Sequence, residues 1–209
     1  MRALMDNRYI SNLAFIDLLF NLMLGFVMLF LISFLLINTP EKTADIEQKA
    51  EILVILSWDD MHTADMDLWI DSPSGIVSYV SPNKGSLHLD KDDLGTRNDT
   101  FITADGEVKF VRINREIVSL RALESGKYTV NAHLYSHGNV GAHPKHISGD
   151  ANVTVEVLRL NPFQVIHNSS KVFSAHGQEE TFVRFKITPA GLVENINYLP
   201  KNLVRKHGP

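Results

Sequence analysis

The residue best placed to do chemistry is Asp17, because of its surroundings. It is the one charge in a run of 25 residues, 13–37, whose only other polar side chains are Asn21 and Ser33. A carboxyl kept from water favours its neutral form and can take up and release a proton near neutral pH. That is the chemistry of a proton carrier. On a helix, Asn21 lies one turn on from Asp17 along the same face, and Gly25 and Met28 roughly continue the stripe. Small and flexible residues there permit close approach of another helix. An aspartate in mid-bilayer costs about 2.5–3.5 kcal/mol on insertion scales, so such groups face protein or trapped water rather than lipid. A solvated aspartate at the membrane edge is the plainer alternative.

Two other sets of residues suggest metal chemistry. Asp65 and Asp67 alternate on a strand, and Asp90, Asp92 and Asp93 follow in a loop. Asp65, Asp67, Asp90 and Asp92 together offer oxygen ligands for Ca²⁺, which takes six to eight. The spacing is not that of an EF-hand, and a solvated acidic turn is the simpler reading. His133, His137, His143 and His146 gather around a Gly/His/Pro loop. A zinc site needs three or four such ligands in tetrahedral array; solvated histidines explain the irregular spacing more simply. Trp58 and Trp69 suit core packing better than a ligand platform. No nucleophile elbow, phosphate loop or acid/base pair is legible, which points away from an enzyme.

The elements that must position these residues divide sharply. Residues 13–37 are long enough to cross a bilayer core of roughly 30 Å with room for tilt. The run is too long for a cleaved signal peptide, contains an aspartate and is followed by no small-residue cleavage site. Arg2 and Arg8 precede it, and the acidic stretch Glu41, Lys42, Asp45, Glu47, Lys49, Glu51 follows. The positive-inside rule therefore places residues 1–12 in the cytoplasm as a short tail and everything after about residue 38 outside, in a bacterium the periplasm beyond the inner membrane. Residues 38–50, with Pro40, read as a linker. The net charge of −4 argues against nucleic acid as a partner. The chain has no cysteine, so it has no disulfides.

From residue 51 the pattern changes to strands. Residues 52–56 are a β-branched apolar run, and residues 66–80 form a hairpin about Ser72–Pro73–Ser74–Gly75. Residues 81–106 read as a long loop. Residues 107–113, 127–135, 152–160 and 180–187 alternate with period two. Residues 114–123 suggest a helical turn, since Ile117, Leu120 and Leu123 recur at helical spacing. Residues 136–150 read as a loop. The expectation is one β-sandwich over residues 51–201 and a flexible tail over 202–209.

The string Ala14–Phe15–Ile16–Asp17–Leu18–Leu19–Phe20–Asn21–Leu22–Met23–Leu24 resembles the membrane helix of the TolR, ExbD and MotB subunits of proton-driven motors and transducers, and of the Zorya defence system's B subunit. The resemblance covers about residues 8–37. It implies a homodimer of this helix inside a ring of a multi-span partner of the TolQ, ExbB or MotA type. It also implies Asp17 as proton carrier assisted by Asn21, with protons as the coupling ion. The OmpA-like peptidoglycan-binding motif of MotB is not matched, and the outer domain is larger than that of TolR or ExbD. Asp65–Met66–Asp67–Leu68–Trp69–Ile70–Asp71–Ser72–Pro73–Ser74–Gly75 and Ser125–Gly126–Lys127–Tyr128–Thr129–Val130 resemble hairpin and strand motifs of pre-peptidase C-terminal domains. Those imply a binding or spacer module without catalysis; on the motor reading it docks to cell wall or another envelope partner. The alternative is a membrane-tethered binding module whose helix is only an anchor.

Overall fold

The computed structural model describes residues 3–37, 49–95, 99–110, 113–138 and 147–204. The chain divides into a helical unit and a β unit. The first is one helix, α1 (Ala3–Ile37). Its stretch Leu13–Leu36 is apolar enough to cross a membrane. At 1.5 Å per residue those 24 residues extend about 36 Å. The helix starts ten residues ahead of the apolar run, so the expected tail is helical from Ala3. Nothing in residues 3–12 breaks it: Gly and Pro are absent.

The second unit is mainly β. Its strands are β1 (Ile52–Ser57), β2 (Asp65–Ser72), β3 (Gly75–Val77), β4 (Asn83–Lys84), β5 (Leu87–Lys91), β6 (Thr100–Ile102), β7 (Val108–Phe110), β8 (Arg115–Leu120), β9 (Gly126–Ser136), β10 (Ala151–Leu160), β11 (Phe163–Phe173), β12 (Glu179–Ile187) and β13 (Val193–Asn197). Six form one sheet in the order β11-β10-β1-β8-β5-β4. Five form a second in the order β13-β12-β9-β2-β3, and β6 pairs with β7 alone. Every described strand pair is antiparallel.

The inward residues of the two larger sheets make one core. Ile52, Val54 and Leu56 of β1 meet Val153, Val155 and Val157 of β10 in the first sheet, and Met66, Leu68 and Ile70 of β2 meet Val130, Ala132 and Leu134 of β9 in the second. This is the sandwich arrangement, each strand giving alternate side chains to the interior. β1 reads as a continuous apolar run because it lies centrally, between β10 and β8, with Leu53 and Ile55 half-buried on its outer face. Tyr128 stacks on Phe185, and Phe173 on Phe182. Phe182 and Val183 fall at a bulge in the β12–β9 ladder, so both neighbours are buried.

Three expectations are corrected. Residues 114–123 are not a helical turn: Glu116, Val118 and Leu120 alternate inward on β8, a central strand of the first sheet. Both periods place Leu120 inward, and pairing with β1 and β5 selects the strand. Residues 81–106 are not one loop but carry β4, β5 and β6. Residues 202–204 are docked, not frayed. Leu203 is buried and its N–H donates to Glu179 Oε1 at 2.6 Å. β11 and β13 were not foreseen at all.

Gly126 opens β9 at φ 148°, and a Cβ there would run into the Pro73 ring. Only glycine lets the β2–β3 turn close over the start of β9.

Candidate functional site

In the helical unit, Asp17 and Asn21 stand four residues apart on α1, one above the other. Asp17 lies about 6 Å from the start of the apolar stretch by helix rise. Each described side chain from Leu13 to Leu36 is exposed, Asp17 and Asn21 included. A Cβ added at Gly25, two turns on from Asp17, would meet nothing within 4 Å. The helix therefore offers a carboxylate, an amide and a shallow backbone surface along one side, with no cover from the described residues.

The β unit holds a second carboxylate site, and here every oxygen has company. Glu116 of β8 is 1% exposed and lies between the sheets. β2 pairs with β3 only at residues 70–72, so its edge at Leu68 has no strand beside it. Glu116 fills that place: the Leu68 N–H donates to its Oε2 at 2.6 Å. The Asp93 N–H donates to Oε1 at 3.4 Å. Burial drives the Glu116 carboxyl well above the usual carboxylate range, and a hydrogen bond with the Asp92 carboxyl raises it further; the Leu68 N–H pulls the other way. Asp93, also buried, accepts the N–H groups of Gly95 and Arg115 and the Lys91 ammonium at 2.8 Å.

Asp67 borders this cluster. It is 5% exposed, and burial raises its carboxyl, while His133 Nδ1 at 3.1 Å favours the charged form. The cross-strand register Asp67↔His133 puts the two side by side. Asp65 is buried on the same strand. Asp90, by contrast, is half-exposed and pairs with Arg121 at 2.9 Å. The four aspartates weighed for Ca²⁺ are thus partly drawn together (Asp67 and Asp92 both act on Glu116) while Asp90 has a cation of its own. Among the described residues, no group of three or more Asp, Glu or His side chains is arranged to hold a metal ion. His143 and His146 lie outside the described residues. Trp58 is a core residue, its indole N–H donating to the Ala64 carbonyl at 3.1 Å. Trp69 is only half-buried and meets Tyr79 edge-on, which in turn meets Tyr135.

Two features were missed in the sequence. Glu116 was hidden by the helical reading of its segment; a charge on the inward phase of an alternating strand was the available signal. His167 and Ser169 sit on β11, with Ser169 Oγ and His167 Nε2 2.9 Å apart beside a cavity of about 530 Å³. Burial, then the nearby Lys171, depresses the His167 pKa. Tyr198 and Phe182 pack on that ring. Among the described residues no carboxylate orients the imidazole, and the serine–histidine pair lacks the third member of a nucleophilic relay.

No family model, no curated protein and no solved structure matches the chain.

Proposed function

We propose that the chain is the single-span subunit of a proton-driven envelope motor or energy transducer, in which Asp17 carries the proton. The observation behind this reading is one carboxylate in a 24-residue apolar helix, with Asn21 on its face and exposure along the whole stretch. A charge there requires a polar or protein neighbour, because lipid cannot solvate it. A second copy of the helix and a surrounding multi-span subunit would supply that neighbour. Each proton gained or lost then switches the face between neutral and charged and changes its packing against the ring. The drive is the membrane potential, about 2.3 kcal/mol per charge per 100 mV.

The N-terminus faces the cytoplasm by the balance of charge across the span. The β unit lies in the periplasm, where it docks to cell wall or an envelope partner without catalysing a covalent reaction. The competing reading is a tethered binding module. It draws on the β unit's own complete core and its surface recesses.

The two readings separate in one experiment. The chain is co-expressed with its multi-span partner, purified and reconstituted, and proton entry is followed under an imposed potential. Asp17→Asn should abolish proton entry while leaving the complex assembled. Unchanged function in Asp17→Asn, or a chain that purifies with no multi-span subunit, would leave only the anchor.

A further inference from the structure

The outer face of the second sheet carries a cluster of cations that the fold does not neutralise. Lys127 of β9 and Lys186 of β12 are direct cross-strand partners, and Arg184 stands two residues before Lys186 on the same face. Like charges placed opposite each other on a sheet are destabilising. Lys186 is relieved by Glu194 at 3.1 Å. Among the described residues, neither Lys127 nor Arg184 makes an ion pair. Three cations against one carboxylate leave a local excess of positive charge on a chain whose net charge is −4.

These residues line a recess rather than a flat surface. Its volume is about 160 Å³, and Tyr128, Phe185, Asn195, Asn197 and Leu199 form the rest of its lining. The recess owes its shape to an irregularity in the β12–β13 ladder. Lys186 pairs with Glu194 and Arg184 with Asn197, so β13 carries one residue more than β12 across this interval. Asn195 within it takes φ 54°, the left-handed conformation that asparagine accepts more readily than most residues. Bulges of this kind re-aim side chains and gather near binding sites. Here the bulge puts two amides on the wall of a pocket whose other side is cationic.

We propose that this recess binds a phosphate group. That volume has room for a tetrahedral anion. The guanidinium of Arg184 suits two phosphate oxygens at once, and Lys127 and Lys186 supply point charges. Each asparagine amide has two N–H groups; one of Asn197's goes to the Asn195 carbonyl and one of Asn195's points at Glu194, which leaves one on each as a neutral donor. Exposed Leu199 at the rim favours a phosphate ester over the bare ion, its apolar surface meeting the carbon that carries the phosphate. The ester is either a soluble metabolite or polymer phosphate or the headgroup of a phospholipid; the recognition chemistry is the same. The site stands independently of any role for Asp17.

The test uses the full chain in phosphatidylcholine nanodiscs with ¹⁵N label. Inorganic phosphate and glycerol phosphate are titrated against chloride at matched ionic strength, and the side-chain amides of Asn195 and Asn197 are followed. Saturable shifts of those amides with phosphate but not chloride are expected, and glycerol phosphate should bind more tightly. Arg184→Gln with Lys127→Gln should weaken binding at least tenfold, and Arg184→Lys should weaken it less. In a second arm, nanodiscs containing phosphatidic acid replace the soluble ligands; shifts there identify a lipid headgroup as the source. The proposal is overturned by silence of both amides in both arms, or by binding that survives the double substitution unchanged. It is overturned equally by shifts confined to other residues, a result that needs no variant to fold.

Discussion

Asp17 and Glu116 are each the one acidic residue in an apolar row of their own element, and they are partnered in opposite ways. Glu116 projects from the inward side of β8, between Val118 and the open edge of β2, and its own fold supplies its partners: two backbone N–H groups and a neighbouring carboxyl. Asp17 projects from a helix whose described side chains are all exposed. A buried charge is tolerable only with hydrogen-bond partners, and a membrane charge only with a polar neighbour. The first carboxylate therefore serves the fold, latching β2 to β8 where no strand could. The second has no such partners among the described residues, and on the proposed function another chain would supply them. A carboxylate in apolar surroundings marks function when its partners are not built into its own chain.

That contrast can be broken in several ways. The largest expected effect is on the membrane side. Asp17→Asn should lower proton-coupled output by about 100-fold or more, with Asp17→Glu retaining part of it. The same change should leave urea unfolding of the β unit where it was. Glu116→Ala should do the reverse. It strands the Leu68 N–H and opens a cavity in the core, at a cost of about 3 kcal/mol in the unfolding of the β unit. If Glu116→Ala unfolds like the parent chain, the latch is wrong.

The pH dependence of Glu116 sharpens the point. Its folded pKa lies above its unfolded one of 4.5. The native state then holds a proton that the unfolded chain has already released, so stability from this group is complete below that value. It declines as pH rises through the folded pKa and levels off above it. Glu116→Gln mimics the protonated form and removes this slope. In urea melts between about pH 4 and about pH 8, the wild type should lose stability relative to Glu116→Gln as pH rises. Parallel curves would mean that Glu116 is already ionised in the fold. The smallest effect belongs to Asp90. Its half-exposed pair with Arg121 is worth at most about 1 kcal/mol, so Asp90→Asn should shift the melt little. Calcium should raise the melting temperature of neither protein.

Much of the fold was legible because its signals are local. The long helix showed in an apolar run interrupted only by Asp17, Asn21 and Ser33, and β1, β2, β9, β10 and β12 showed in apolar runs or period-two patterns. β11 did not, because its middle is His167–Asn168–Ser169–Ser170–Lys171, a polar stretch that suits a sheet edge and reads as a loop. β8 failed for a different reason. Its inward row includes a glutamate, so Ile117, Leu120 and Leu123 offered a false helical spacing. The partners that make Glu116 tolerable are β2 and the segment after β5, about 48 and 23 residues away in sequence. No short-range pattern reports such pairing. Asp17 stood out at once only as the one charge in its apolar run, a local feature of the sequence.

The most direct measurement of the central claim is the protonation of Asp17 inside the assembled complex. Infrared difference spectroscopy on the complex with ¹³C-labelled aspartate reads it without an activity assay. A protonated carboxyl band should be present at neutral pH, respond to an imposed proton gradient and vanish in Asp17→Asn. A carboxylate band that stays ionised at every pH near neutral, with the gradient on or off, would contradict the account.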